Sequence, residues 1–193
     1  MEVMIHFVFE LIKIFILATA YATVLLLLFR LQARFLPNGW CDQVSKVKIR
    51  FWFVSGFLIS VSLFVFLFSY YGNHGLGDGP RVPVGHGLVV NNANWTEYGY
   101  IEDIKTSDGH GLEMTKFLAV DDHLMGNLDS WFDTYMNSFF IYDMDRRTMN
   151  EFSTETEFNA YATAHGLPEV NALRTFERNY DDRWGGWWFW LLP

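Results

Sequence analysis

The sequence predicts a membrane-anchored α+β protein: a two-helix transmembrane hairpin, then a small extracytoplasmic domain with a mainly antiparallel sheet and one or two covering helices. Three observations carry the prediction. Two long apolar runs flank a basic loop near the N-terminus, a Gly/Pro-rich segment follows, and short β-type stretches separated by turn formers then lead into a capped helix.

The apolar runs come first. Ile14 to Phe29 and Phe51 to Tyr71 contain no charged residue, and the first extends back to about Phe7 if Glu10 and Lys13 are tolerated. A helix rises 1.5 Å per residue, so a hydrocarbon core ~30 Å thick needs roughly 20 residues. Helices over about 7–29 and 51–71 meet that length. A cleaved signal peptide fits the first run poorly, because its apolar stretch exceeds ~7–15 residues. Arg30, Leu31, Gln32, Ala33 and Arg34 follow it, where a small-residue cleavage site would stand. Residues 1–71 are therefore expected to persist as a hairpin.

Its orientation follows from the cations. The connecting loop, 30–50, carries Arg30, Arg34, Lys46, Lys48 and Arg50 against the single acid Asp42. Short loops rich in Lys and Arg resist translocation. The loop is expected in the cytoplasm and both termini outside, as an integral membrane protein whose domain would be periplasmic in a Gram-negative inner membrane. Glu10 and Lys13 then fall about 24–29 Å from Phe29, near the outer headgroups. Glu10 is the candidate for an ion path, although the second helix offers it no ionisable partner and an interfacial position would solvate it. Ala18, Ala22, Gly56 and Ser60 place small residues one turn apart, as close helix packing requires.

Charge separates the two halves. Residues 1–71 hold six Lys/Arg and three acids, whereas residues 72–193 hold eight Lys/Arg and 19 acids, for a total of −8. So acidic an exported part excludes nucleic acid as a partner and disfavours anionic headgroups at its surface. Membrane lipid surrounds the hairpin, and a protein partner of basic character suits the domain. The only thiol, Cys41, lies in the loop, so no disulfide staples the chain.

Residues 72–87 hold six glycines and two prolines and are expected to form a tether. The domain proper would be 88–193. Leu88 to Val90, Trp95 to Ile104, Leu112 to Val120 and Trp131 to Tyr142 read as strands. Phe139 to Tyr142 and Thr148 to Phe152 make a hairpin around the polar loop 143–147. Thr154 and Glu157 form a capping box for a helix that Gly166 and Pro168 end. Val170, Leu173, Phe176, Tyr180 and Trp184 predict a second helix. The chain closes with Trp184, Trp187, Trp188 and Trp190 as candidate interaction residues. A final core strand is the first reading of that tail, and an interfacial belt or an exposed docking peptide are the others.

Four histidines begin the tripeptide His-Gly-Leu, at His74, His86, His110 and His165. His74, His86, His110 and His123 are the candidate ligands for zinc or copper, with Asp108, Asp121 and Asp122 nearby in sequence. None shows the tight His-x-x-x-His or Cys-x-x-Cys spacing of a local metal motif, and glycine after histidine equally suits a turn with positive φ. No nucleophile elbow, phosphate-binding glycine loop or H-E-x-x-H occurs. The sequence thus favours a non-catalytic, membrane-tethered extracytoplasmic interaction module, such as an envelope-complex subunit, a regulator or an immunity-like protein. A metal-binding protein or metal-dependent enzyme using the turn histidines is one alternative. A subunit of an ion-driven membrane complex is the other.

Overall fold

A computed structural model describes residues 2–35, 44, 46–72, 79–130 and 134–193. The chain divides into two compact units, Met1–Gly75 together with Trp187–Pro193, and Leu76–Gly186. It is α+β, with two long apolar helices at the N-terminus and antiparallel sheets after them.

In the first unit, α1 (Glu2–Phe35) and α2 (Lys48–Leu67) pack antiparallel. Ile14 and Leu17 bury against Leu63 and Leu67 at one end, and the Phe29 and Phe51 rings meet edge-to-face at 5.2 Å at the other. Of the small residues, Gly56 and Ala22 allow the close approach that their spacing predicts: a Cβ on Gly56 would lie 3.6 Å from that of Ala22. Between them Trp52 Nε1 donates to Thr23 Oγ1 at 3.0 Å, which satisfies the indole in an apolar setting. Both helices are long and apolar enough to cross a membrane.

Their ends differ from the sequence expectation. Arg30 and Arg34 lie on α1, and Lys48 and Arg50 on α2, so helix extends into the basic segment from both sides. Cys41 and Asp42 lie outside the described residues. α2 stops at Leu67 rather than Tyr71. Ser69 Oγ donates to the Phe66 carbonyl, and the chain folds back so tightly at Gly72 that any Cβ there would strike the Leu67 oxygen.

The second unit is a two-sheet structure with a helical third layer. β1 (Arg81–Gly85), β2 (Leu88–Asn92), β3 (Gly99–Lys105) and β4 (Gly111–Met114) form one sheet in that order. The other has the order β8-β7-β6-β5-β9. It comprises β5 (Lys116–Val120), β6 (His123–Asn127), β7 (Phe139–Asp143), β8 (Thr148–Phe152) and the short β9 (Arg174–Thr175). Val82, Val90, Ile101, Leu112 and Met114 from the first sheet share a core with Phe117, Leu124 and Phe140 from the second. The outer face of the second sheet buries Met125 and Ile141 under Phe158 and Ala162 of α3 (Glu155–Ala164). The Thr154–Glu157 capping box is present, and the 139–152 hairpin pairs in the predicted register region.

The stretch expected as a strand over Trp131 to Tyr142 is strand only from Phe139, and residues 131–133, like 73–78 of the expected tether, lie outside the described residues. Four further expectations need correction. Residues 81–85 of the proposed tether are strand β1: Val82 and Val84 alternate into the core, and Pro83 is tolerated because β1 is an edge. The stretch 112–120 is two strands in different sheets. Its corner at Thr115 is held by Asn127, whose Oδ1 accepts from Lys116 N at 2.6 Å and whose Nδ2 donates to Thr115 Oγ1. The second helix begins only at Phe176, as α4 (Phe176–Trp184), after a 3-10 turn at Val170–Ala172 and β9. The tail is a helix, α5 (Trp187–Leu191), rather than a strand.

Candidate functional site

Between the β2–β3 loop, the Thr115 corner and the start of α4 the second unit has a cleft of about 420 Å³. Its aromatic wall is Trp95 and its floor the buried Phe176; Glu97, Glu177 and Lys116 stand at the rim, with threonines between them. After β2 ends at Asn92 the chain turns at Ala93 to Trp95, so sharply that Asn94 and Trp95 both adopt positive φ, 54° and 56°. For tryptophan that is an uncommon backbone, sustained only where neighbours impose it. Asn92, 1 % exposed, imposes it here: its Nδ2 donates to the Thr96 carbonyl at 2.7 Å and to the Tyr98 carbonyl at 2.9 Å. Tyr180 meets the Trp95 ring edge-to-face at 4.9 Å.

The other wall is built by α4. Thr175 caps the helix by accepting from Arg178 N, and Asn179 Nδ2 bonds the Phe117 carbonyl of β5 at 2.9 Å, tying the helix start to the sheet. Trp184 Nε1 donates to the Arg81 carbonyl at 2.9 Å and anchors the helix end on β1. The surroundings are electronegative. The Tyr98 phenol is pushed above its ordinary range by burial and by the charges of Asp129, Glu97 and Glu113. An aromatic wall flanked by carboxylates attracts cations, through the ring face and through charge. Sequence reading missed this cleft because Trp95 looked like a strand residue. The Asn-Asn-Ala-Asn run before it was the available signal.

The histidines lie elsewhere. His74 is outside the described residues. His86 sits in the β1–β2 turn at φ 50°, its Nε2 2.8 Å from Asp122 Oδ1 of the β5–β6 turn. His123 pairs with Asp143 across β6 and β7. His110 faces the Tyr135 ring edge-on at 6.0 Å, and its carbonyl accepts from Thr106 N. His165 caps α3, stacked 4.0 Å from Tyr161. Among the described residues, no group of three or more His, Cys, Asp or Glu side chains is placed to hold a metal ion. The glycine after His86 and that after His165 take positive φ, but at His110 it is Gly109, before the histidine, that does so.

In the first unit, Glu10 Oε2 is enclosed with no hydrogen-bond partner among the described residues, one turn from Lys13. The Lys13 ammonium lies over the Phe189 ring, 4.4 Å from its centroid. Of the four candidate tryptophans, Trp184 is buried in the second unit, and Trp187, Trp188 and Trp190 are exposed on α5 in the first. In comparison with known proteins, the chain matches no protein-family model, no curated protein and no solved structure.

Proposed function

We propose that this chain is a non-catalytic, membrane-tethered interaction module whose β unit offers the Trp95 cleft to a basic segment of a protein partner. The single observation that carries the reading is the cleft itself: a tryptophan held at positive φ beside Glu97 and Glu177. Among the described residues its lining combines carboxylates, threonines and one lysine with the aromatic rings of Trp95 and Phe176, a surface suited to recognising a cationic segment. The acid excess of residues 72–193 steers a cationic partner toward it at low salt.

The tether is the α1–α2 hairpin. An apolar core helix of a water-soluble protein would be mostly covered, yet only 22 % and 11 % of the most apolar stretches of α1 and α2 is buried. Phe15, Ile16, Leu28, Phe53, Phe57 and Val65 all point outward. So extensive an apolar surface calls for lipid. With the basic segment cytoplasmic, the β unit lies outside the cytoplasm.

The test titrates the full chain in lipid nanodiscs with an Arg/Lys-rich peptide and reads the indole resonance of Trp95. A saturable shift, weakened at least tenfold in Glu97→Lys, supports the reading. An unmoved Trp95 resonance, or equal weakening by a charge reversal at distant Asp145, overturns it.

A further inference from the structure

We infer that α5 is a lipid-binding foot, by which the chain returns to the bilayer after the β unit and seats Trp187, Trp188 and Trp190 in the headgroup layer. The inference rests on the membrane-spanning reading of the hairpin. It concerns a different surface from the cleft.

Five consecutive residues of α5 are apolar, and all five are exposed, from 44 % at Leu191 to 82 % at Trp187. A water-facing helix end does not tolerate such a patch. The foot groups with α1 and α2 rather than with the β unit that precedes it. Two contacts fix its level along the hairpin. Lys13 lies over Phe189, and the Tyr21 hydroxyl donates to the Leu191 carbonyl at 2.5 Å. Helical side chains lean toward the N-terminus, so Tyr21 reaches back toward the end of α1 that carries Lys13. That end is also where Ile14 packs with Leu67, the last residue of α2. α5 therefore lies beside α1 between Lys13 and Tyr21, from the level at which α2 ends inward, within the outer zone that tryptophan belts occupy and that amphipathic segments enter by about 5–10 Å.

Satisfaction of polar groups favours a lipid setting over a soluble partner. The last carbonyls of a helix have no intrahelical donor, and water serves them at an ordinary surface. Here Tyr21 serves the Leu191 carbonyl and Leu192 N bonds the Trp188 carbonyl at 2.9 Å, so two of the carbonyls at the end of the foot take protein donors. The Lys13 amine lies against an aromatic ring, an arrangement worth more when water is excluded. The segment carries no charge with which to select a protein surface. Apolar lipid at the interface asks only for this aromatic chemistry. The β unit is then held to the bilayer through both of its ends.

The experiment places a nitroxide at Trp188→Cys in the full-length Cys41→Ser chain, in phosphatidylcholine/phosphatidylglycerol nanodiscs, with Phe57→Cys as the hairpin control. Power saturation compares oxygen with a water-soluble nickel chelate. Oxygen dominating at both positions, less strongly at 188, is the expected result. A nickel-accessible 188 with an oxygen-accessible 57 overturns the foot and leaves the hairpin standing, as does a position 188 shielded from both reagents. A nickel-accessible 57 overturns the spanning reading and the foot with it.

Discussion

The Tyr21 hydroxyl and the Leu191 carbonyl, 170 residues apart in sequence, meet at 2.5 Å and join α1 to the last turn of α5. Removing the donor in Tyr21→Phe leaves a helix-terminal carbonyl unpaired in apolar surroundings, a penalty of about 1–3 kcal/mol. The expected outcome is a mobile spectrum for a nitroxide at position 188 in the variant, with the label at 57 unchanged. An immobile label at 188 would show that the hydrogen bond does not hold the foot.

Glu151 of β8 grips the β3–β4 turn of the other sheet. Its carboxylate accepts from Ser107 N at 2.6 Å, Ser107 Oγ at 2.8 Å and Asn137 Nδ2 at 2.9 Å. Glu151→Ala removes the acceptor of all three donors at once and should cost about 2 kcal/mol, the scale of hydrogen bonds to a charged group. Chemical denaturation of the full chain in detergent, followed by near-UV circular dichroism, reads it.

Gly126 on β6 lies opposite Phe140 on β7. A Cβ there would come 2.8 Å from the Phe140 ring and 2.7 Å from the Lys116 carbonyl of β5. The backbone oxygen cannot yield as a side chain would. Gly126→Ala is expected to destabilise the β unit by about 1–3 kcal/mol, measured as above, whereas Gly111→Ala, with open space at its Cβ, should be near neutral.

The β unit should weaken in acid. The Asp108 carboxyl is held below its usual 3.8 by the Thr106 hydroxyl and, less strongly, by Met136 N–H, with burial opposing. Asp143 is held low chiefly by Arg146 N–H, at 2.8 Å. A carboxyl depressed in the folded state stabilises fully above its unfolded value, near 3.8, and that contribution is lost as pH falls through the folded value. Asp108→Asn should lower stability at neutral pH and flatten the acid limb of the pH–stability curve. A limb as steep as in the unaltered chain would assign the acid loss to other groups.

Much of the fold was legible because its signals are local or periodic. Uncharged runs announced the two apolar helices, and Thr154 with Glu157 announced α3. Strand β1 was hidden because Pro83 and the glycines around it outweigh the alternation of Val82 and Val84, and only the edge position reconciles them. The tail misled through composition. Tryptophan and phenylalanine favour strands, yet Trp187–Leu191 is helical and grouped with the apolar helices, a tertiary outcome that propensity does not encode. The Trp95 cleft was illegible for the same reason: its walls come from residues some 80 positions apart, at Trp95 and Phe176. No local spacing records that meeting.

Trp95 separates binding from stability. Trp95→Ala removes a half-exposed ring whose backbone is set by Asn92, so unfolding should move by less than about 1 kcal/mol beyond the lost Tyr180 contact. Peptide affinity should fall at least tenfold. Loss of folding in parallel with affinity would make Trp95 structural.

The central claim is a hairpin that spans the membrane with its basic segment inside and the β unit outside. Labelling with an impermeant maleimide tests it most directly, using Cys41 in the natural chain and Asp145→Cys in a Cys41→Ser chain. In intact cells the label should reach position 145 and not Cys41, and permeabilisation should expose Cys41. Labelling of Cys41 with protection of 145 in intact cells would contradict the account.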